Sequence, residues 1–429
     1  MVELEKIYQE VENLDPEAFM EVLKKIIGVN TSVPPANTYR EYVDVISPYF
    51  KNLDYELEEV VVPEELVKQI PYPLEGPRIN LIATKEFGQK NYVTFYGHMD
   101  TVPASNEGDQ KWRYPPFEAT MNRRGKIFGR GVGDMKGPMA CLIIALQIIE
   151  KLNLTPKYNV RIVNCTDEET GIYPGIRYLT DKGYIKGTVV NMDFNIQPVI
   201  PVGFAGDLEV IVETIGKSCH SGMNYLGINA LEEMIPILVE LKALKEKVEK
   251  RESKDIPGFP RLGGEGTSNM APMFNLDIIQ SGDKINIVPN LCTLKIDRRI
   301  IPDENYEDVK KEIEEAVEKG KAKSKAVDVR TTFHYMYPPV RVNPNGPNIL
   351  RFKKIISLVQ NVEEDEINVL GMSFSTDMGF ITQILDTDEI IFTGIQTLKS
   401  NTHGVNESVM YSDVKTFIKE IIVFLCSDL

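Results

Sequence analysis

Three short apolar runs in this chain each stop at an imidazole or a carboxylate, and that repetition limits the folds open to it. Residues 92–96 lead through Gly97 into His98-Met99-Asp100, residues 160–163 lead into Asp167-Glu168-Glu169, and residues 189–192 lead into Asp193. Short apolar runs bounded by polar loops read as buried strands. Open α/β sheets collect ligands at the carboxyl ends of such strands. His98 and Asp100, two residues apart in an extended chain, point to the same side.

The surrounding pattern completes an α/β reading. Residues 3–27 place Leu4, Ile7, Val11, Phe19, Val22, Leu23 and Ile26 at helical spacing, residues 80–83 form a further strand, and residues 138–152 form an apolar helix. From about residue 206 the character changes. The order becomes strand (208–214), charged helix (231–249), strands (273–279 and 293–296), helix (306–319) and strand (327–333). That is the split βαβ pattern of a ferredoxin-like layer. Pro338-Pro339 leads out of it, and helices at 348–359 and 412–425 with a strand at 390–393 close the chain. A length of 429 residues exceeds what one core usually supports, so two domains are expected: 1–205 with 336–429, and an inserted 206–335.

Composition narrows the partners. A net charge of −15 repels phosphate backbones, which argues against nucleic acid or anionic lipid as a partner. No apolar run approaches the roughly 20 residues that span a bilayer, and the first residues carry acidic groups rather than a basic, then apolar, leader. A cytoplasmic location is the expectation. Five scattered cysteines, none in Cys-x-x-Cys spacing, fit neither a disulfide framework nor a thiolate zinc knuckle.

Gly129-Arg130-Gly131-Val132-Gly133-Asp134 precedes the apolar helix. Its spacing matches no phosphate loop, and Asp134 would point negative charge at a phosphate, so the turn suits a cation instead. Three acidic residues in a row at 167–169 likewise repel one another unless a cation or proton lies among them. With His403 on a late polar loop, the candidate ligands are His98, Asp134, Glu168 or Glu169, Asp193 and His403. Histidine with carboxylates and no thiolate is the donor set of a hydrolytic zinc, cobalt or manganese site. Five ligands suit two divalent ions about 3.5–4 Å apart with one carboxylate bridging.

Gly97-His98-Met99-Asp100-Thr101-Val102-Pro103, Gly129-Arg130-Gly131 to Asp134-Met135-Lys136-Gly137, Asp167-Glu168-Glu169-Thr170-Gly171, and Asn401-Thr402-His403-Gly404 to Asn406-Glu407 together resemble the motif series of the M20 metallopeptidases. The resemblance implies a zinc-peptidase-like catalytic domain with a mixed sheet and an inserted α+β lid and dimerisation domain. It implies Asp134 as bridging ligand, His98 and Asp193 on one metal, and Glu169 and His403 on the other. Glu168 would be the general base acting on a bridging water, Asp100 the acceptor from the far nitrogen of His98, and the Asp134–Met135 peptide cis.

In the inserted unit, Gly216-Lys217-Ser218-Cys219-His220 resembles the segment whose histidine reaches across the family's dimer towards the developing oxyanion, making His220 a candidate electrophile. Asn286-Ile287-Val288-Pro289 and Asp297-Arg298-Arg299 also resemble family segments, and the resemblance implies Asn286 and Arg299 as holders of a substrate carboxylate. Ser221-Gly222 after His220, and Asp193-Phe194-Asn195 around Asp193, depart from the family pattern. The expected activity is hydrolysis of a peptide or N-acyl-amino-acid amide bond by a homodimer. A dipeptidase or carboxypeptidase stands beside an N-deacylase, and an inactive metal-binding scaffold is the reading from another class.

Overall fold

The computed structural model describes residues 2–106, 108–258 and 269–429. Its chain forms two compact units: residues 1–201, 342–369 and 380–429, and residues 202–341 with 370–379.

The first unit is built on a six-stranded mixed sheet in the order Glu56–Val61, Ile79–Lys85, Asn159–Cys165, Tyr92–His98, Thr188–Asn191, Ile390–Phe392. The last four strands run parallel, and the first two pair antiparallel at one edge. Asn159–Cys165 is buried at every residue rather than at alternate ones. That continuous burial is what parallel strands covered on both faces require. The helix Lys136–Lys151 packs on Tyr92–His98 and against Pro16–Gly28 and Tyr411–Cys426. Asp15 starts the second of these helices by accepting from the Glu17 N–H, with Pro16 at the first helical position.

Register decides the site. His98 pairs with Cys165 and Tyr96 with Asn191, so three parallel strands end side by side. A small antiparallel sheet pairs Lys126–Phe128 with Ser408–Met410, Ser408 lying opposite Phe128. It brings the glycine-rich loop after Phe128 next to the loop before Ser408.

The second unit is a four-stranded antiparallel sheet in the order Met273–Ser281, Leu291–Ile300, Gly206–Ile215, Asp328–Tyr337. Numbered along the chain this order is 2-3-1-4, the ferredoxin-like arrangement expected from the pattern of elements. Gly206–Ile215 turns Leu208, Val210 and Val212 inward onto Met234, Ile237, Leu241, Val309 and Ile313 of the helices Ala230–Val248 and Tyr306–Lys321. Asn229 and Asn305 cap these helices, each accepting from two backbone N–H groups. Residues 259–268, within the expected inserted domain, lie outside the described residues.

Some elements were not legible in the pattern. The helix Tyr39–Lys51 carries Pro48 in its last turn, which reads as a break, and the edge strand Glu56–Val61 leaves most of its residues exposed and shows no alternation.

Candidate active site

Asp134 presents one carboxylate oxygen to each of two histidines. His98 Nε2 lies 2.9 Å from its Oδ1, and His403 Nε2 lies 3.0 Å from its Oδ2. Asp193 Oδ2 stands 3.8 Å from His98 Nε2, and Glu169 Oε2 stands 3.1 Å from His403 Nε2. Two ligand triads result, His98 with Asp134 and Asp193, and Asp134 with Glu169 and His403, and Asp134 belongs to both. The peptide from Asp134 to Met135 is cis.

Each ligand is delivered by a local device. His98 is the last residue of its strand and Asp193 follows the end of another; Asp193 is held by its own N–H donating to Asn191 Oδ1 at 2.6 Å and by Gln396 Nε2 donating to its Oδ1 at 2.7 Å. Glu168 and Glu169 sit half-buried on a single 3₁₀ turn, Glu168–Thr170, entered by Asp167 with φ +62°. His403 projects from an exposed loop whose own backbone is left-handed at φ +64°. Gly131, at φ +83°, lets the chain turn tightly just before Asp134.

The residues fit a divalent ion on two grounds. His98 Nε2, Asp134 Oδ1 and Glu169 Oε1 are buried and make no hydrogen bond, although the ligand atoms converge on one another. The charges also call for a cation. Burial disfavours the charged form of each carboxylate, and it raises Glu169 to about 7 with Asp134 beside it, and raises Asp193 for the same reasons. For the histidines burial acts the other way, but hydrogen bonds to Asp134 and Glu169 outweigh it and push His403 up to about 11. Asp100, Asp134 and Asp193 likewise raise His98 against its burial. Four carboxylates, Asp100, Asp134, Glu169 and Asp193, thus favour the protonated rings of His98 and His403, positive charge that a divalent cation supplies instead.

Asp100 meets the far nitrogen of His98 with its backbone as well as its side chain. His98 Nδ1 lies 3.1 Å from the backbone carbonyl oxygen of Asp100 and 3.6 Å from its carboxylate, so the carbonyl is the acceptor at hydrogen-bond distance. Asp100 Oδ1 is the carboxylate oxygen that faces the ring, and Oδ2 accepts from the Glu169 N–H at 2.9 Å. One fully buried residue therefore touches both a ligand of the first triad and the backbone of a ligand in the second.

In the second unit, His220 is exposed and its Nδ1 accepts from the Gly222 N–H at 3.1 Å, which leaves Nε2 to carry the proton of the neutral ring. His220 bridges to Ile287, and the Ser221 N–H donates to the carbonyl of Asn286 in the turn just before it, so the two candidates lie on neighbouring segments. Arg299 is engaged by the protein's own groups. Its Nε lies 2.8 Å from Asp297, its Nη1 donates to Ser375 at 2.8 Å, and Nη1 is 3.3 Å from Asp207. A substrate carboxylate would have to share this guanidinium with two aspartates.

Reading the sequence missed the residues that hold the ligands. Gln396 orients Asp193 and accepts in turn from Thr402 at 3.0 Å. Asp167 is held by the Tyr39 hydroxyl at 2.9 Å and faces Arg78 Nε at 3.5 Å. Both Tyr39 and Arg78 come from segments that carry no motif. The only available signal was polar residues set among buried positions.

A mixed α/β unit that gathers two histidines and two further carboxylates around one shared aspartate defines a metallohydrolase. The profile of the peptidase family M20/M25/M40 matches residues 94–425, and the chain belongs to that family. It is a hydrolase acting on amide or peptide bonds. Among its relatives, a protein of Staphylococcus epidermidis named as a probable succinyl-diaminopimelate desuccinylase is 27% identical, covering 89% of this chain and 93% of its own. The acetylornithine deacetylase of Proteus mirabilis is 28% identical over 72% of this chain and 74% of its own. The fold is shared with an M20 family metallo-carboxypeptidase from Sulfolobus solfataricus, at TM-score 0.75 and 20% identity, covering 96% of this chain and 98% of that one. It is shared equally with a di-peptidase from Saccharomyces cerevisiae, at TM-score 0.75 and 17% identity, covering 98% of this chain and 97% of that one. No helix among the described residues is long and apolar enough to cross a membrane.

Proposed function

We propose that the chain is a dinuclear amidohydrolase, active on a peptide or N-acyl-amino-acid bond, with His98, Asp134 and Asp193 holding one divalent ion and Asp134, Glu169 and His403 the other. The observation that carries this reading is Asp134, whose two oxygens face two histidines in two triads. Zinc, cobalt and manganese all suit the donor set. When bound, such ions polarise an amide carbonyl and make water acidic enough to attack near neutral pH.

The chain's own residues do the rest. Glu168, beside the ligand Glu169 on one tight turn, takes the proton of the attacking water and returns it to the leaving nitrogen. Asp100 holds the Glu169 backbone and, through its carbonyl, the His98 ring. His220, with Nε2 protonated, donates to the developing oxyanion from a partner subunit. Asn286 and Arg299 receive the carboxylate of the substrate, a role for which Arg299 has a planar donor fork but two competing aspartates.

The 206–335 region acts as lid and dimerisation domain in this reading. Leu231, Ile235 and Val239 expose 41%, 54% and 59% of their surface at i, i+4 and i+8, a continuous apolar stripe on one helix face. The neighbouring strand Met273–Ser281 is a sheet edge with Ile278 and Ile279 exposed.

N-Deacylase activity is favoured by the names of the sequence relatives, whereas the carboxypeptidase and di-peptidase likenesses rest on fold alone. The deciding experiment is a hydrolysis panel of N-acetyl- and N-succinyl-amino acids and dipeptides with the zinc- and cobalt-loaded protein, run beside Glu168→Ala. Wild-type turnover that falls about 10²–10⁴-fold in the variant, with metal content unchanged, is expected. Metal uptake without turnover on any substrate would favour the scaffold reading, and full turnover by the variant would remove Glu168 from the mechanism.

A further inference from the structure

Four hydrogen bonds converge on one buried carboxylate that belongs to neither triad. Glu407 has no exposed surface. Its Oε2 accepts from Arg130 Nη1 at 2.7 Å and from the Gly131 N–H at 3.1 Å, and its Oε1 accepts from the Gly133 and Asp134 N–H groups at 2.8 and 3.2 Å. Arg130, 2% exposed, carries the connection onward, with Nη2 donating to the carbonyl oxygen of His403 at 2.9 Å and the guanidinium 5.2 Å from the Trp112 ring. An unbroken chain of bonds therefore runs from the backbone of Asp134, through Glu407 and Arg130, to the backbone of His403.

Strand pairing alone does not reach that far. The ladder between Lys126–Phe128 and Ser408–Met410 ends with the Gly129 N–H on the Glu407 carbonyl at 3.2 Å, and both loops then leave the sheet. Beyond this point the side chains of Glu407 and Arg130 set how far apart the two loops stand. A buried ion pair is weak evidence for stability, because apolar residues of similar volume often serve as well. What such a pair supplies is direction and spacing, which metal ligands need to within fractions of an ångström.

We propose that Glu407 and Arg130 are positioning residues that set the spacing of Asp134 and His403, and with it the affinity for the ion that these two hold with Glu169. This rests on the metal-site reading above. The test is titration of metal-free protein with Co²⁺, read by visible d–d absorption, with the melting temperature of the same metal-free samples as the control for folding. Glu407→Gln keeps the volume but turns an amide group towards backbone N–H donors. Arg130→Lys keeps the charge but loses the second nitrogen that reaches the His403 carbonyl. Each variant is expected to bind Co²⁺ about tenfold or more weakly, with an altered spectrum, while its metal-free melting temperature falls by only a few degrees. Unchanged Co²⁺ affinity in both variants overturns the proposal. So does a loss of affinity that in both variants accompanies a comparable collapse of metal-free stability, since that is the mark of an ordinary structural pair. Wild-type protein that takes up no Co²⁺ overturns the metal-site reading along with the proposal, a result distinct from the other two.

Discussion

Glu420 lies 1% exposed on the helix Tyr411–Cys426, where its Oε1 accepts from Gln360 at 2.8 Å and Thr393 provides a second hydrogen bond. Burial outweighs both contacts and pushes its pKa from 4.5 up to about 8. Below pH 4.5 the folded and unfolded chains both hold the proton, so the contribution of this group is present in full. Between pH 4.5 and about 8 the unfolded chain has released a proton that the folded protein keeps, so stability falls as pH rises and the contribution is lost by the upper limit. The slope is about 1.4 kcal/mol per pH unit, which over this window amounts to roughly 5 kcal/mol at most. Glutamine keeps the shape and has no proton to lose. Glu420→Gln should therefore melt close to wild type at pH 5 and on the order of 10 °C above it at pH 8.5, measured by scanning fluorimetry on metal-free protein. A difference between variant and wild type that is the same at both pH values would refute the reasoning.

Arg78→Met should lower the melting temperature by the equivalent of about 3–5 kcal/mol, because it strips a buried aspartate, Asp167, of its cation and frees three backbone carbonyls. A change below about 1 kcal/mol would show that the ion pair at 3.5 Å does not hold the turn that carries Glu168 and Glu169. Loading the metal-free protein at pH 7 should release about one to three protons, since His98, His403 and Glu169 hold protons that ligation displaces. A pH indicator in weak buffer measures this, and metal uptake with no proton release would contradict the charge assignment. His220→Ala should leave stability within about 0.5 kcal/mol, because the side chain is exposed, while lowering kcat about 10²–10³-fold with metal content intact. An unchanged kcat would remove His220 from the oxyanion role.

How much could be read beforehand followed the range of the interaction. The strands before His98, Asp167 and Asp193 were visible because burial on both faces leaves a continuous apolar run, and the inserted unit was visible from the order of its elements, with the half-buried strand Gly206–Ile215 alternating along its length. The helix Tyr39–Lys51 and the strand Glu56–Val61 were not visible, since an internal proline and an exposed edge erase those periodicities. Tyr39, which supports Asp167 across 128 residues of chain, went unseen with its helix.

The sequence by itself determined the inventory: which side chains can bind a cation, where the strands and turns that present them begin and end, and what family of chemistry they belong to. Local spacing carries that information because strand and helix periodicities repeat over a few residues. Only the tertiary structure decided the pairings. His403 meets Asp134 across 269 residues of sequence, the carboxylate of Asp100 takes the Glu169 N–H on one oxygen while the other faces the His98 ring, and Arg299 is already shared between two aspartates. Each of these is settled by strand register and by competition among buried donors and acceptors, which depend on what packing brings together and not on what lies next along the chain.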